Sequence, residues 1–190
     1  FGEDPELVAS LGKTMIAGLQ DNGMPATAKH FPGIGRTTLD SHADLPYLDT
    51  ERQVLDETDL VPFRVAVKGG VEAVMLSHVV YTALDAEWPA SLSSVIAKGI
   101  LRDSMGFGGI VMTDDLDMGA IDRHFDIETA VRRISDAEID IALICHNRQK
   151  MERAHEVLLE VMGESGESRR KASVSVQRIL NLKRRYFSNA

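Results

Sequence analysis

The chain has 190 residues, of which 44% are hydrophobic and 26% charged, the balance of one ordinary globular domain. A net charge of −8 leaves no basic excess to neutralise phosphates, which argues against nucleic acid as a main partner. No apolar run reaches the roughly 20 residues that a membrane-spanning helix needs.

Asp4-Pro5-Glu6 opens a helix, with Asp as N-cap and Pro at the first helical position. Leu7, Val8, Leu11, Met15, Ile16 and Leu19 follow at helical spacing, and Gly23 stops it. Pro25 to Ala28 is a short strand candidate that runs into the polar loop Lys29 to His42. A second helix is expected from about Asp59 to Lys68, then a strand over Val71 to Leu76 with Ser77-His78 at its end. Ser91 is placed to cap a helix carrying Leu92, Val95, Ile96, Ile100 and Leu101. Ile110-Val111-Met112 reads as a buried strand, a helix starts near Ile127, and Ile139 to Cys145 reads as a further strand. Two last helices, near Met151 to Met162 and Lys171 to Tyr186, flank the loop Gly163 to Gly166.

Cys145 is the single cysteine, so no internal disulfide can form; its apolar run predicts a buried, inert thiol. Lys183-Arg184-Arg185 reads as a solvated helix end. The sequence starts at Phe1 without a signal-peptide pattern, and a segment upstream of it is expected.

Four strands beginning near residues 24, 71, 109 and 139 alternate with amphipathic helices, which indicates an α/β fold with a parallel sheet. Each strand ends in polar residues: Lys29-His30, Ser77-His78, Thr113-Asp114 and His146-Asn147. Sites collect at the C-terminal ends of parallel strands in barrels and in open sheets alike. A helix followed by four strand–helix units is half of an eight-stranded barrel, and a half barrel leaves sheet edges that something must close.

The titratable residues gather in two places. Asp40-Ser41-His42 sets a carboxylate two residues from an imidazole, an arrangement that fixes the ring tautomer and suits His42 to proton transfer. Lys29, at the end of a buried strand, suits a binding role. Asp114-Asp115 follows a strand, whose alternation turns one carboxylate toward the site and the other away. Such a pair can be a nucleophile with a hydrogen-bonded neighbour, a metal site, or a cap for the following turn.

Lys29-His30-Phe31-Pro32-Gly33-Ile34-Gly35, followed by Asp40-Ser41-His42, resembles the signature of the β-N-acetylhexosaminidase branch of family 3 glycoside hydrolases. Phe1-Gly2-Glu3-Asp4-Pro5 and Gly108 to Met118 match the same family. The resemblance implies the C-terminal half, strands five to eight, of a (β/α)8 TIM-type barrel, with residues 1–190 a single catalytic domain incomplete at its N-terminus. It implies Asp114 as nucleophile, His42 paired with Asp40 as acid/base, and Lys29 and His30 as residues that hold the N-acetylated sugar. No cofactor or metal is implied. The partners implied are an N-acetylglucosamine-containing oligosaccharide or muropeptide and a complementing N-terminal barrel segment. Recycling of cell-wall fragments in a bacterial cytoplasm is the family's best-known task and favours that compartment, while a periplasmic or secreted relative would show the same sequence features. Ile34 stands where many relatives have histidine, and Thr113 where many have serine.

Overall fold

The structure, a computed structural model, describes residues 2–187. Helix α1 (Pro5–Gln20) starts as expected, with the Asp4 carboxylate accepting the N–H groups of Glu6 at 2.9 Å and Leu7 at 3.3 Å. Its apolar stripe does not go where the spacing predicts. Ala9 is buried, and Ile16 and Leu19 pack against the core, but Leu7, Leu11 and Met15 face solvent. Gln20 locks the helix end to the next layer, donating to the Gly70 carbonyl and accepting from Glu72 N–H, both at 3.0 Å.

Four strands form one parallel sheet: β1 (Thr27–Phe31), β3 (Ala73–Leu76), β5 (Ile110–Asp115) and β6 (Ile141–Leu143), in the order β1-β3-β5-β6. The expected α/β architecture with a parallel sheet is present. The first strand lies later than predicted, because Pro25 has no N–H to pair and the ladder continues until Ser77 N–H reaches the Phe31 carbonyl at 2.9 Å. Lys29 and His30 are therefore strand residues. Two further strands, β2 (Tyr47–Leu48) and β4 (Val80–Tyr81), pair with each other in parallel and are too short to leave a periodic signal.

The second helical region begins earlier than predicted, with α2 (Arg52–Val54), a π-helical turn (Leu55–Asp59) and α3 (Val61–Lys68). Residues 52–57 show little apolar periodicity. They are held instead by i,i+4 side-chain pairs, Arg52–Asp56 at 2.7 Å and Gln53–Glu57 at 2.8 Å. The expected cap at Ser91 is also corrected. Ala90–Leu92 is a 3-10 turn, the helix proper is a π-helical segment over Val95–Ser104, and Ser93 Oγ accepts Ile96 N–H at 3.1 Å. The loop expected over Gly163 to Gly166 shrinks to Ser165, whose hydroxyl accepts Ser168 N–H and starts α7 (Gly166–Phe187) directly after α6 (Arg148–Glu164).

Helix α5 (Ile127–Asp136) is capped by Asp126 and buries Ala130, Val131 and Ile134. The main core joins Phe31, Leu60, Val74, Leu76, Ile96, Leu101, Val111 and Ile134 between the sheet and the helices. A buried ion cluster closes its lower end: Asp140 accepts from Arg102 at 2.6 Å and Arg178 at 3.0 Å. Cys145 is exposed rather than buried. It lies past the end of β6, which pairs only with β5 among the described strands and is itself half-buried.

Candidate active site

The ladders are irregular at two places, and both hold residues singled out from the sequence. Between β1 and β3 the register passes from Ala28↔Val74 to Phe31↔Leu76, so β1 spends one residue more than its neighbour across Lys29 and His30. Between β5 and β6 it passes from Met112↔Ile141 to Asp115↔Leu143, so β5 spends one more across Thr113 and Asp114. Bulges of this kind bend a strand and re-aim its side chains. The Thr113 hydroxyl fills the second one, accepting the Leu143 N–H at 3.0 Å. The Lys29–His30 and Phe31–Pro32 peptide bonds are cis.

Asp114 and His30 meet at these bulges, with His30 Nε2 3.3 Å from Asp114 Oδ2. The other oxygen of Asp114 accepts the Asp115 N–H at 2.9 Å. Burial holds the His30 imidazole below its ordinary pKa; the Asp114 charge opposes this, while Lys29 and His42 add to it. A neutral His30 can donate to the Asp114 carboxylate without cancelling its charge. Asp115 turns the other way: its Oδ1 accepts the N–H groups of Cys145 and Asp117, both at 3.1 Å. The adjacent carboxylates thus divide between an open cleft and the backbone.

His42 and Asp40 form the expected pair. Nδ1 of His42 lies 2.8 Å from Asp40 Oδ1, which also accepts the His42 backbone N–H at 2.9 Å. These two bonds, the backbone one first, hold the Asp40 carboxyl below the usual carboxylate range. An ionised Asp40 can only accept, so Nδ1 carries the proton it donates and Nε2 is left for chemistry. The pair is well exposed, at 76% for His42 and 71% for Asp40.

His30, Asp114, Asp40 and His42 border one cleft of about 160 Å³, whose walls also include Ile34, Leu39 and Met118. Lys29 does not line it and is exposed. Of the five residues singled out, the structure brings four to one opening.

Several supporting residues carry no role in the sequence reading. His78, fully buried, donates from Nε2 to the Asp115 carbonyl at 2.9 Å, since a carbonyl can only accept; its Nδ1 then accepts the Ser91 hydroxyl at 2.7 Å. Burial lowers its pKa, against the pull of Asp114 and Asp115, and keeps it neutral. Buried Tyr81 donates to the Gly33 carbonyl at 2.9 Å and accepts from Ser77 at 3.1 Å, anchoring the loop after β1. Arg36 ties the same loop to Asp59 and Thr58, each at 2.9 Å. The signal available in sequence was the polar Ser77-His78 directly after an apolar strand.

The third acid of the run, Asp117, is committed to protein partners: Lys150 Nζ at 2.8 Å and the N–H groups of His146 at 2.8 Å and Asn147 at 3.0 Å. Burial works against its charge, but Lys150 and the two amides outweigh it and hold the carboxyl at about 2. Among the described residues no group of three or more His, Cys, Asp or Glu is placed to hold a metal ion.

Residues 1–182 match the glycosyl hydrolase family 3 N terminal domain. A beta-hexosaminidase of Thiobacillus denitrificans is 42% identical over 164 residues, covering 85% of this chain and 44% of that protein. One from Xylella fastidiosa is 40% identical over 146 residues, covering 77% of this chain and 43% of that protein. Among solved structures, a family 3 β-N-acetylglucosaminidase from Paenibacillus sp. str. FPU-7 superposes with a TM-score of 0.92 at 39% identity, over 97% of this chain and 35% of that one. The β-N-acetylglucosaminidase from Thermotoga maritima gives 0.85 at 30% identity, over 94% of this chain and 39% of that one. The chain spans less than half the length of these relatives. It is an α/β unit built on the barrel-type fold of that domain, and the chain belongs to glycosyl hydrolase family 3.

Proposed function

We propose that this chain carries the catalytic groups of a β-N-acetylhexosaminidase that removes terminal N-acetyl-β-D-glucosamine by retaining double displacement. Asp114 attacks the anomeric carbon while protonated His42 donates from Nε2 to the leaving oxygen. The glycosidic bond breaks and a covalent glycosyl–Asp114 ester forms. Neutral His42 then takes a proton from water, whose oxygen attacks the same carbon and releases the carboxylate. A His–Asp pair here replaces the carboxylic acid usual in retaining enzymes. The observation that carries the reading is the shared cleft: the Asp114 carboxylate and the His42–Asp40 pair open onto one space at the C-terminal ends of parallel strands. His30 and Lys29 are proposed to hold the sugar. In this reading residues 1–190 are one catalytic domain lacking the first half of its barrel, and a complementing segment supplies the remaining sugar contacts. The substrates proposed are peptidoglycan- or chitin-derived N-acetylglucosaminides.

The test is hydrolysis of a chromogenic N-acetyl-β-glucosaminide by the chain combined with its upstream segment. Asp114→Ala should abolish turnover, and His42→Ala should retain activity chiefly on substrates with good leaving groups. Equal activity in all three proteins removes the assigned roles. Binding of N-acetylglucosamine without any turnover identifies a sugar-binding remnant instead.

A further inference from the structure

The pair His42–Asp40 rides on an exposed loop, yet the backbone of that loop is held. Gly119 N–H donates to the His42 carbonyl at 3.2 Å, and Ala120 N–H donates to the Ser41 carbonyl at 3.1 Å. Both donors open the one-turn helix α4 (Gly119–Asp122), a few residues downstream of Asp114 on the same stretch of chain. Inside the loop, Ala43 N–H at 2.9 Å and Asp44 N–H at 3.2 Å both return to the Asp40 carbonyl, so the dyad and its tether form one tight turn. Asp44 adds a side-chain bond to His124, just beyond α4.

Gly119 is what permits this approach. A Cβ there would stand 2.7 Å from both the His42 and the Ala43 carbonyl oxygens, inside any real contact distance. The obstacle is backbone, which cannot swing aside as a side-chain tip could. The segment that presents Gly119 is also fixed from the other side. Leu116 N–H bonds the Leu143 carbonyl at 2.9 Å, and the carboxylates of Asp115 and Asp117 take up the amides of Cys145, His146 and Asn147.

We propose that Gly119 is a positioning residue for the acid/base: its missing side chain lets the loop dock on the element that carries the nucleophile, setting His42 relative to Asp114. This rests on the function proposed above. General acid–base catalysis contributes on the order of 10² to 10⁴ in rate, and it depends on placing the proton within hydrogen-bond reach of the leaving oxygen. A displaced loop forfeits that contribution where the leaving group needs the proton, and little of it where the leaving group does not.

The experiment compares the complete protein with Gly119→Ala and His124→Gln on aryl N-acetyl-β-glucosaminides of graded leaving-group acidity. For Gly119→Ala, kcat/KM should fall about 10- to 100-fold on the poorest leaving group and less than about threefold on the most activated one. His124→Gln should move in the same direction by less. Hydrogen exchange at Ala120 should quicken in Gly119→Ala while the β5 amides stay protected. A loss uniform across leaving groups, or no loss, overturns the positioning role in an enzyme that is otherwise active. A parent inert toward every such substrate would instead remove the proposed function itself, and the positioning role with it.

Discussion

Thr113 Oγ1 accepts the backbone N–H of Leu143 at 3.0 Å, where β5 takes one residue more than β6. A side chain thus supplies the acceptor that the bulged backbone withdraws. Asp114, the next residue, is free to leave the ladder because Thr113 completes it.

Thr113→Val keeps the shape and removes the acceptor. Leaving Leu143 N–H unpaired should cost about 1–3 kcal/mol, read from the urea midpoint. Thr113→Ser should restore most of that, since the hydroxyl is what the bulge requires. Equal destabilisation by Val and Ser would place the effect in packing.

His78 makes stability depend on pH near neutrality. Its folded pKa lies below the unfolded value of about 6.5, so the unfolded chain binds a proton that the folded one refuses. Stability should therefore be full above about pH 6.5 and fall as the pH drops below it. His30 adds to the trend with the same sign. His78→Asn should flatten the slope of unfolding free energy between about pH 7 and 5. An unchanged slope would show that the buried ring is not its source.

Asp117 acts in a lower window and through the opposite kind of group. Its carboxyl, held at about 2, contributes stability that is complete above the unfolded value of about 3.9 and lost as the pH falls toward 2. Acid unfolding monitored by circular dichroism should lose this component in Asp117→Asn. That variant should also be less stable at pH 7, because Lys150 and the amides of His146 and Asn147 lose a charged acceptor.

Tyr81→Phe removes the donor to the Gly33 carbonyl and, with it, the acceptor of the buried Ser77 hydroxyl. It should cost about 0.5–1.5 kcal/mol, with faster hydrogen exchange confined to the loop after β1. A loss spread over the whole sheet would mean that the hydroxyl holds more than the loop.

The strand–helix alternation was legible because buried strands and helix stops such as Gly69-Gly70 announce themselves locally. So was the His42–Asp40 pair, whose partners are two residues apart. What escaped the sequence depends on contacts between distant segments. Ser91 satisfies every local rule for a helix cap, yet it spends its hydroxyl on His78, thirteen positions away. Cys145 sits in an apolar run, but the run ends at a sheet edge and the thiol passes beyond it. The apolar stripe of α1 follows helical spacing, and still Leu7, Leu11 and Met15 lie in solvent, since periodicity gives a face but not its partner. Neither bulge could be read, because register is a property of two strands.

The contact between His30 and Asp114 joins strands that are not neighbours. His30 belongs to β1 and Asp114 to β5, and β3 runs between them. In a flat sheet, strands two places apart stand about 10 Å from each other and their side chains rise in parallel. His30 Nε2 and Asp114 Oδ2 nevertheless approach to 3.3 Å. The two bulges, at Lys29–His30 in β1 and at Thr113–Asp114 in β5, aim these side chains at each other across β3. The pair is therefore a gauge of the two bulges: a change that restores regular register in either strand, however far from the cleft, would draw the imidazole and the carboxylate apart.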